Sequence, residues 1–383
     1  MANERRPASL LVCAGDPSGD ALAARAVSAW CAIHPDAPVE GFGGPALAAA
    51  GLRTIPTRFL RWPFPSPTGL VEPLGAVPAL LACARTLLER ARRGGVRAAL
   101  LVDLPEFNLP LGRRLRTLGV PVLQAVAPQT WAWRPGRVVD LRASCDLLAV
   151  LLPFEEPYFR SLGIDARFVG HPLMDRLPPL RPPPPPDGGP IRLALLPGSR
   201  PERVRYVLPS LLAGAREAAR TGRISSIVVS RAAAVDRAFV GRLLRESEVR
   251  VPVGIEDRPP LEWLEPDAVR QVWVAAGTGS LEVAALGLPA CVAYRTGSLG
   301  FAVARRLVRG RFAGLPNRLL GREALPERLQ DQLSPRGLAE LFDVLGRPAA
   351  FVAAAEAARE LRDLLGGPGF AERLARLVDE VAR

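Results

Sequence analysis

Apolar residues in this chain come in short unbroken runs rather than in the alternation of a half-exposed sheet, and the runs end at Gly, Pro or Asp. Strands buried on both faces have this pattern. It predicts strands at 9–14, 98–102, 120–126, 146–152 and 166–169, with helical periodicity at 20–31 and 111–118. Alternating strands and helices imply a parallel sheet wrapped by helices. Residues 178–190 contain consecutive prolines at 182–186 and read as a stiff linker or hinge. Beyond them the pattern restarts, with strands at 191–196, 226–229 and 272–275 and helices at 204–220, 234–245 and from Leu281. Apolar-periodic helices at 349–365 and 371–381 close the chain. The expected fold class is α/β, as two open Rossmann-like units in tandem: a domain over 1–177, the hinge over 178–190, a second domain over 191–348 and C-terminal helices over 349–383.

Composition narrows the chemistry. The 383 residues are 49% hydrophobic and 23% charged, enough for two proper cores. All 50 basic residues are Arg, which removes any Lys nucleophile, Schiff base or P-loop Lys. The net charge of +12 favours acidic partners, although the Arg, Ala and Pro bias accounts for part of it. Five scattered Cys without a Cys-x-x-Cys pair suggest neither a disulfide framework nor a zinc site, and a reducing cytoplasm fits best. No apolar run approaches the ~20 residues that span a bilayer, and the N-terminus makes no persuasive signal peptide. No nucleic-acid motif is present.

In open α/β sheets, ligands sit outside the carboxyl ends of the strands, so the loops there carry the candidates. After the first strand, Gly15-Asp16-Pro17-Ser18-Gly19-Asp20 permits close backbone approach, with Asp20 as the expected helix cap. Asp103 ends another strand, where its carboxylate serves either as a proton acceptor or as a turn cap. Trp131 and Trp133 offer flat faces to a sugar or acyl chain, against the commoner alternative of a structural pair. His171 is one of two histidines, and a lone His is more often structural. In the second half, Pro197-Gly198-Ser199-Arg200 and Ala276-Gly277-Thr278-Gly279-Ser280 each follow a strand and precede a helix, as anion-binding turns do. The second is not a dinucleotide fingerprint, because its Gly-x-Gly lacks the remaining spacing. The segment 57–81 mixes aromatic and aliphatic residues with prolines; it reads as a packed irregular loop or as an apolar lip for membrane or acyl chains.

Taken in order, these segments resemble the bacterial lipid-A-disaccharide synthase family of inverting glycosyltransferases. The matching motifs are Ala14-Gly15-x-x-Ser18-Gly19-Asp20, Gly69-x-x-Glu72-x-Leu74-Gly75, Asp103-x-Pro105-x-Phe107-Asn108 and Pro128-x-x-Trp131-Ala132-Trp133-Arg134. Next come Leu152-Pro153-Phe154-Glu155, Phe168-Val169-Gly170-His171-Pro172-x-x-Asp175, Leu195-Leu196-Pro197-Gly198-Ser199-Arg200 and Gly277-Thr278-x-x-Leu281-Glu282. Leu315-Pro316-Asn317 and Gly321-Arg322-Glu323 complete the series. The chain departs from the family at Asp16, where Glu is usual, at Ala276, where Ser is usual, and at Gly279-Ser280. It departs again at Glu202-Arg203, where the usual Glu stands three residues after Arg200, and 225–258 matches poorly.

The resemblance implies the GT-B architecture, with a cleft between two lobes, and transfer of 2,3-diacylglucosamine from UDP to 2,3-diacylglucosamine 1-phosphate through a β-1,6 linkage. It assigns the base to Asp103, with Asp16 a lesser candidate. The UDP-sugar falls to Gly198, Ser199, Arg200, Gly277, Thr278, Gly279, Glu282 and Asn317, with Glu282 on the ribose. Ser18, Asn108, Trp131, Trp133, Arg134 and His171 are expected around the acceptor. No metal or cofactor is expected. The acylated substrates and the arginines, among them Arg305, Arg306, Arg309 and Arg311, imply peripheral attachment to the anionic inner face of the inner membrane, and a homo-oligomer stays open. The competing readings are another GT-B UDP-sugar enzyme, an epimerase, or a homologue that has lost activity.

Overall fold

A computed structural model describes residues 8–56, 62–64, 77–132, 134–181, 183–184, 188–297 and 311–383. The chain forms two compact units, Met1–Asp175 with Leu365–Arg383, and Arg176–Leu364.

The first unit runs β1 (Ser9–Ala14), α1 (Pro17–Ile33), β2 (Val39–Phe42), α2 (Pro45–Ala49), β3 (Arg53–Thr54), α3 (Val77–Arg92), β4 (Val96–Val102) and α4 (Pro105–Thr117). It continues with β5 (Val122–Ala125), α5 (Arg137–Ser144), β6 (Leu147–Val150), α6 (Glu155–Ser161) and β7 (Ala166–Phe168). The strands lie in the order β3-β2-β1-β4-β5-β6-β7, every pairing parallel. The solid apolar runs are explained by two cores. Leu10, Val12, Leu100 and Val102 face α1 through Val27 and Trp30, while Leu11, Cys13, Ala99 and Leu101 face Leu87 of α3 and Leu111 of α4.

The second unit comprises β8 (Ile191–Leu196), α7 (Pro201–Ala219), β9 (Ile224–Ser230), α8 (Arg237–Glu246), β10 (Val253–Glu256), β11 (Gln271–Ala275) and α9 (Thr278–Ala285). After these come β12 (Ala290–Tyr294), α10 (Leu315–Leu320), β13 (Glu327–Leu329), α11 (Pro335–Leu345) and α12 (Pro348–Leu364). Its sheet, β10-β9-β8-β11-β12-β13, is again wholly parallel.

Several features differ from the sequence expectation. The last helix, α13 (Phe370–Val381), buries Phe370, Leu374 and Val378 in the core that contains Leu10 and Val12, so 349–383 divides between the units instead of standing apart. The proline segment is tied to the second unit: Arg362 Nη1 donates to the Pro178 carbonyl at 2.8 Å and Arg270 Nη1 to that of Pro184 at 2.9 Å.

Asp20 does not cap α1. That role falls to Asp16, whose Oδ1 accepts from the Gly19 N–H at 2.7 Å, because Pro17 is suited to the first helical position. Asp20, only 2% exposed, reaches across to the start of α2 and accepts from the N–H groups of Gly44 at 2.7 Å, Ala46 at 2.9 Å and Leu47 at 3.3 Å. One carboxylate thus satisfies backbone donors that a five-residue helix leaves without partners. Asp20→Ala is expected to destabilise the first unit by about 3 kcal/mol in urea unfolding. Asp20→Asn, which keeps one acceptor oxygen, should be affected less; a loss equal to that of Asp20→Ala would show that the retained oxygen contributes nothing.

Candidate active site

The first sheet reverses its direction of growth between β1 and β4, and the loops following these two strands meet there. A Cβ on Gly15 would lie 2.3 Å from Leu104 Cδ1 and 2.4 Å from Phe64 Cδ2, so only glycine permits this approach. Asp103, half-buried, follows β4 with φ of 51°, and Leu104 comes next with φ of 49°. Two consecutive left-handed residues other than glycine are unfavourable by roughly 1–2 kcal/mol each. Two side-chain amides hold them. Asn108 Nδ2 donates to the carbonyls of Val102 at 3.0 Å and Asp103 at 2.8 Å, and Gln124 Nε2 donates to that of Asp103 at 3.2 Å. Asn108 is fully buried, so it positions the Asp103 turn instead of facing an acceptor. Gln124 was not anticipated; the available signal was a lone polar residue within the otherwise apolar β5.

The other residues expected in this unit follow parallel strands and so reach the same edge of the sheet, but several are already engaged. Asp16 caps α1 and also accepts from Ser18 Oγ at 2.8 Å, which fits a structural role better than that of a second base. Trp131 Nε1 donates to Glu155 Oε1 at 3.0 Å, and its ring meets Phe154 edge-on at 5.1 Å. Arg134 is exposed and pairs with Glu106 at 3.8 Å, linking the loops after β5 and β4. His171 is buried, its Nδ1 accepts from the Leu173 N–H at 3.2 Å, and burial pushes its pKa down to about 4. It is therefore neutral near pH 7. Trp133 lies outside the described residues.

The apolar-lip expectation changes for the two aromatics that can be described. Phe64 is 4% exposed, stacks on Phe42 at 4.7 Å and meets Phe107 at 4.9 Å, so it belongs to the core beneath Gly15. Trp62 packs against Gly44, where a Cβ would come within 2.3 Å of its ring. Residues 57–61 and 65–76 lie outside the described residues, as do Arg305, Arg306 and Arg309; Arg311 is exposed.

In the second unit the corresponding reversal lies between β8 and β11. Gly198, with φ of 106°, turns the chain into Ser199 and Arg200, both exposed, and Arg200 is the residue before α7. Gly277, with φ of 147°, makes the equivalent turn before α9, where Thr278 is exposed and Gly279 half-buried. Ser280 Oγ donates to the Gly277 carbonyl at 2.6 Å. The N-termini of two helices thus open at adjacent strand ends, where their N–H groups and dipoles favour an anion. Glu282, half-buried on α9, has its pKa raised by burial, with the Arg176 charge opposing. Asn317 does not fit the expected role in the cleft. It is fully buried, its Nδ2 donates to Leu325 O at 2.6 Å and Glu327 Oε1 at 2.8 Å, and its Oδ1 accepts from the Ala324 and Leu325 N–H groups, both at 2.8 Å. These bonds fasten α10 to the segment that leads into β13 and to Glu327 at its start. Among the described residues, no group of three or more His, Cys, Asp or Glu side chains is placed to hold a metal ion.

Known proteins supply the context for this geometry. The family described as lipid-A-disaccharide synthetase matches residues 10–344. Lipid-A-disaccharide synthase of Anaeromyxobacter sp. (strain K) is 37% identical, with 98% of this chain and 97% of that protein covered. The enzyme of that name from Myxococcus xanthus (strain DK1622) is 34% identical, with 98% of each covered. The solved structure of MurG from Acinetobacter baumannii, 13% identical, is similar with a TM-score of 0.58 over 98% of this chain and 99% of that one, a likeness of fold.

Glu155 generates a pH prediction. Burial pushes its carboxyl up to about 7 from an ordinary 4.5, with the bonds from Trp131 and Leu152 opposing. A folded-state pKa above the unfolded one gives stability that is fully present below the unfolded value and is lost as pH rises through the folded one. Between pH 5 and 8, wild type should therefore lose stability relative to Glu155→Gln by an amount on the order of 2 kcal/mol in denaturant unfolding. A difference independent of pH would show that Glu155 is ionised in the folded chain.

Proposed function

The chain belongs to the lipid-A-disaccharide synthase family, and from that premise we propose that it transfers 2,3-diacylglucosamine from UDP to the 6-hydroxyl of 2,3-diacylglucosamine 1-phosphate, releasing UDP and a β-1,6-linked disaccharide 1-phosphate. The observation that carries the reading is the left-handed Asp103 turn, clasped by Asn108 and Gln124 at the reversal point of the first sheet. A backbone held in an unfavourable conformation by buried amides is an expected means of aiming one side chain. Asp103 takes the proton of the acceptor hydroxyl as its oxygen forms the new bond to the sugar C1. The bond from C1 to the diphosphate oxygen breaks on the opposite face, and its electron pair leaves with UDP.

The developing charge on UDP requires positive partners, which Arg200 and the N-termini of α7 and α9 supply in this reading. Glu282, four residues into α9, is the candidate for the ribose hydroxyls. Trp131, held by Glu155 and Phe154, offers a fixed aromatic face on the acceptor side. No described helix is long and apolar enough to cross a membrane. Because both substrates carry acyl chains, the enzyme would work at the inner face of the inner membrane, with its excess of arginine drawn to anionic lipid.

Asp103→Asn tests the assignment. UDP release with both substrates present is expected to fall about 100- to 10,000-fold, the usual range for loss of a general base, while UDP affinity stays within twofold. Turnover near the wild-type rate would remove Asp103 from the mechanism.

A further inference from the structure

A second guanidinium stands beside the turn at Pro197–Arg200. Arg203 lies in the first turn of α7, and its Nη1 donates to the Ala276 carbonyl, just past β11, at 3.0 Å. Its aliphatic stem runs against Gly198, where an added Cβ would meet Arg203 Cδ at 3.1 Å. The guanidinium carbon sits 5.3 Å from the centre of the Tyr294 ring at the end of β12. One side chain therefore reaches the carboxyl ends of β8, β11 and β12.

Its polar atoms are only partly used. Beyond the bond to Ala276, Nε and Nη2 have no hydrogen-bond partner among the described residues, and neither Arg203 nor Arg200 forms an ion pair with a described carboxylate. Burial holds the Arg203 pKa below the usual arginine value and Arg200 adds to that effect, while Tyr294 and Glu202 oppose it. A half-buried cation pinned at one nitrogen is unfavourable until an anion shares the space.

We propose that Arg203 is a binding residue for the diphosphate of the UDP-sugar, acting with Arg200 as a pair of positive groups across the two helix N-termini. The proposal rests on the nucleotide reading of the second unit. Arg203 is also held by the fold, and its effect must therefore be separated from a loss of structure.

Calorimetric titration with UDP and with UMP makes that separation, because the second phosphate is what the added charge would grip. Arg203→Gln is expected to weaken UDP binding about 10-fold and UMP binding by less than about threefold, and to flatten the dependence of UDP affinity on salt. Arg203→Lys should lie between the two proteins. Equal losses for UDP and UMP, or UDP affinity within twofold of wild type, would overturn the proposal. If Arg203→Gln fails to fold, the UDP-to-UMP affinity ratio of Arg203→Lys decides in the same way: a lowered ratio supports it and an unchanged one overturns it. Arg200→Gln separates this proposal from the reading beneath it. Loss of UDP affinity there but not at Arg203 removes Arg203 alone, whereas a wild-type protein that binds no UDP removes both.

Discussion

Every strand pairing in both sheets is parallel, and this constraint decides where chemistry can occur. Parallel strands require helical crossovers that return the chain to the same end, so all carboxyl ends of one sheet share one edge. At the point where strand order reverses, adjacent crossovers lie on opposite faces and leave a crevice. In the first sheet that point falls between β1 and β4, and in the second between β8 and β11. Gly15 and Leu104 come together at one, and Gly198, Arg203 and Ala276 at the other, although each set is dispersed in sequence.

At these edges the saturation of polar groups separates scaffold from site. Asp20 gives its carboxylate to three N–H groups of one helix start, and Asn317 uses both its oxygen and its nitrogen between α10 and β13. Groups so fully engaged have nothing left for a ligand, and their removal would be felt as instability. Asn108 and Gln124 stand one step closer, since their bonds hold the carbonyls around Asp103 and thereby set where its side chain points. Arg200 and Arg203 represent the opposite case, charged groups brought to a strand edge and a helix start with donors to spare.

The strands buried on both faces were legible because nothing competes with burial as an explanation of a solid apolar run; 9–14 and 191–196 were readable to the residue. Short edge elements such as β3, with two exposed residues, and β13, which includes Glu327, carry no such signal, since a sheet edge needs little apolar surface. Asp20 is the cap expected from the sequence, and only three dimensions show that Asp16 caps α1 while Asp20 serves α2. Asn317 matched the family motif, but a motif marks that a residue matters without saying whether to a ligand or to the fold. Arg203, which looked like a flaw in a motif, gains meaning only from its contacts with Ala276 and Tyr294.

The proposed reaction is displacement of UDP by an acceptor hydroxyl that Asp103 deprotonates, with inversion at the anomeric carbon. Incubating the purified protein with UDP-2,3-diacylglucosamine and 2,3-diacylglucosamine 1-phosphate, then reading the anomeric coupling of the product by proton NMR alongside released UDP, tests this most directly. The account predicts one UDP per disaccharide and a β linkage from the α-linked donor. An α-linked product, or no release of UDP, would contradict it.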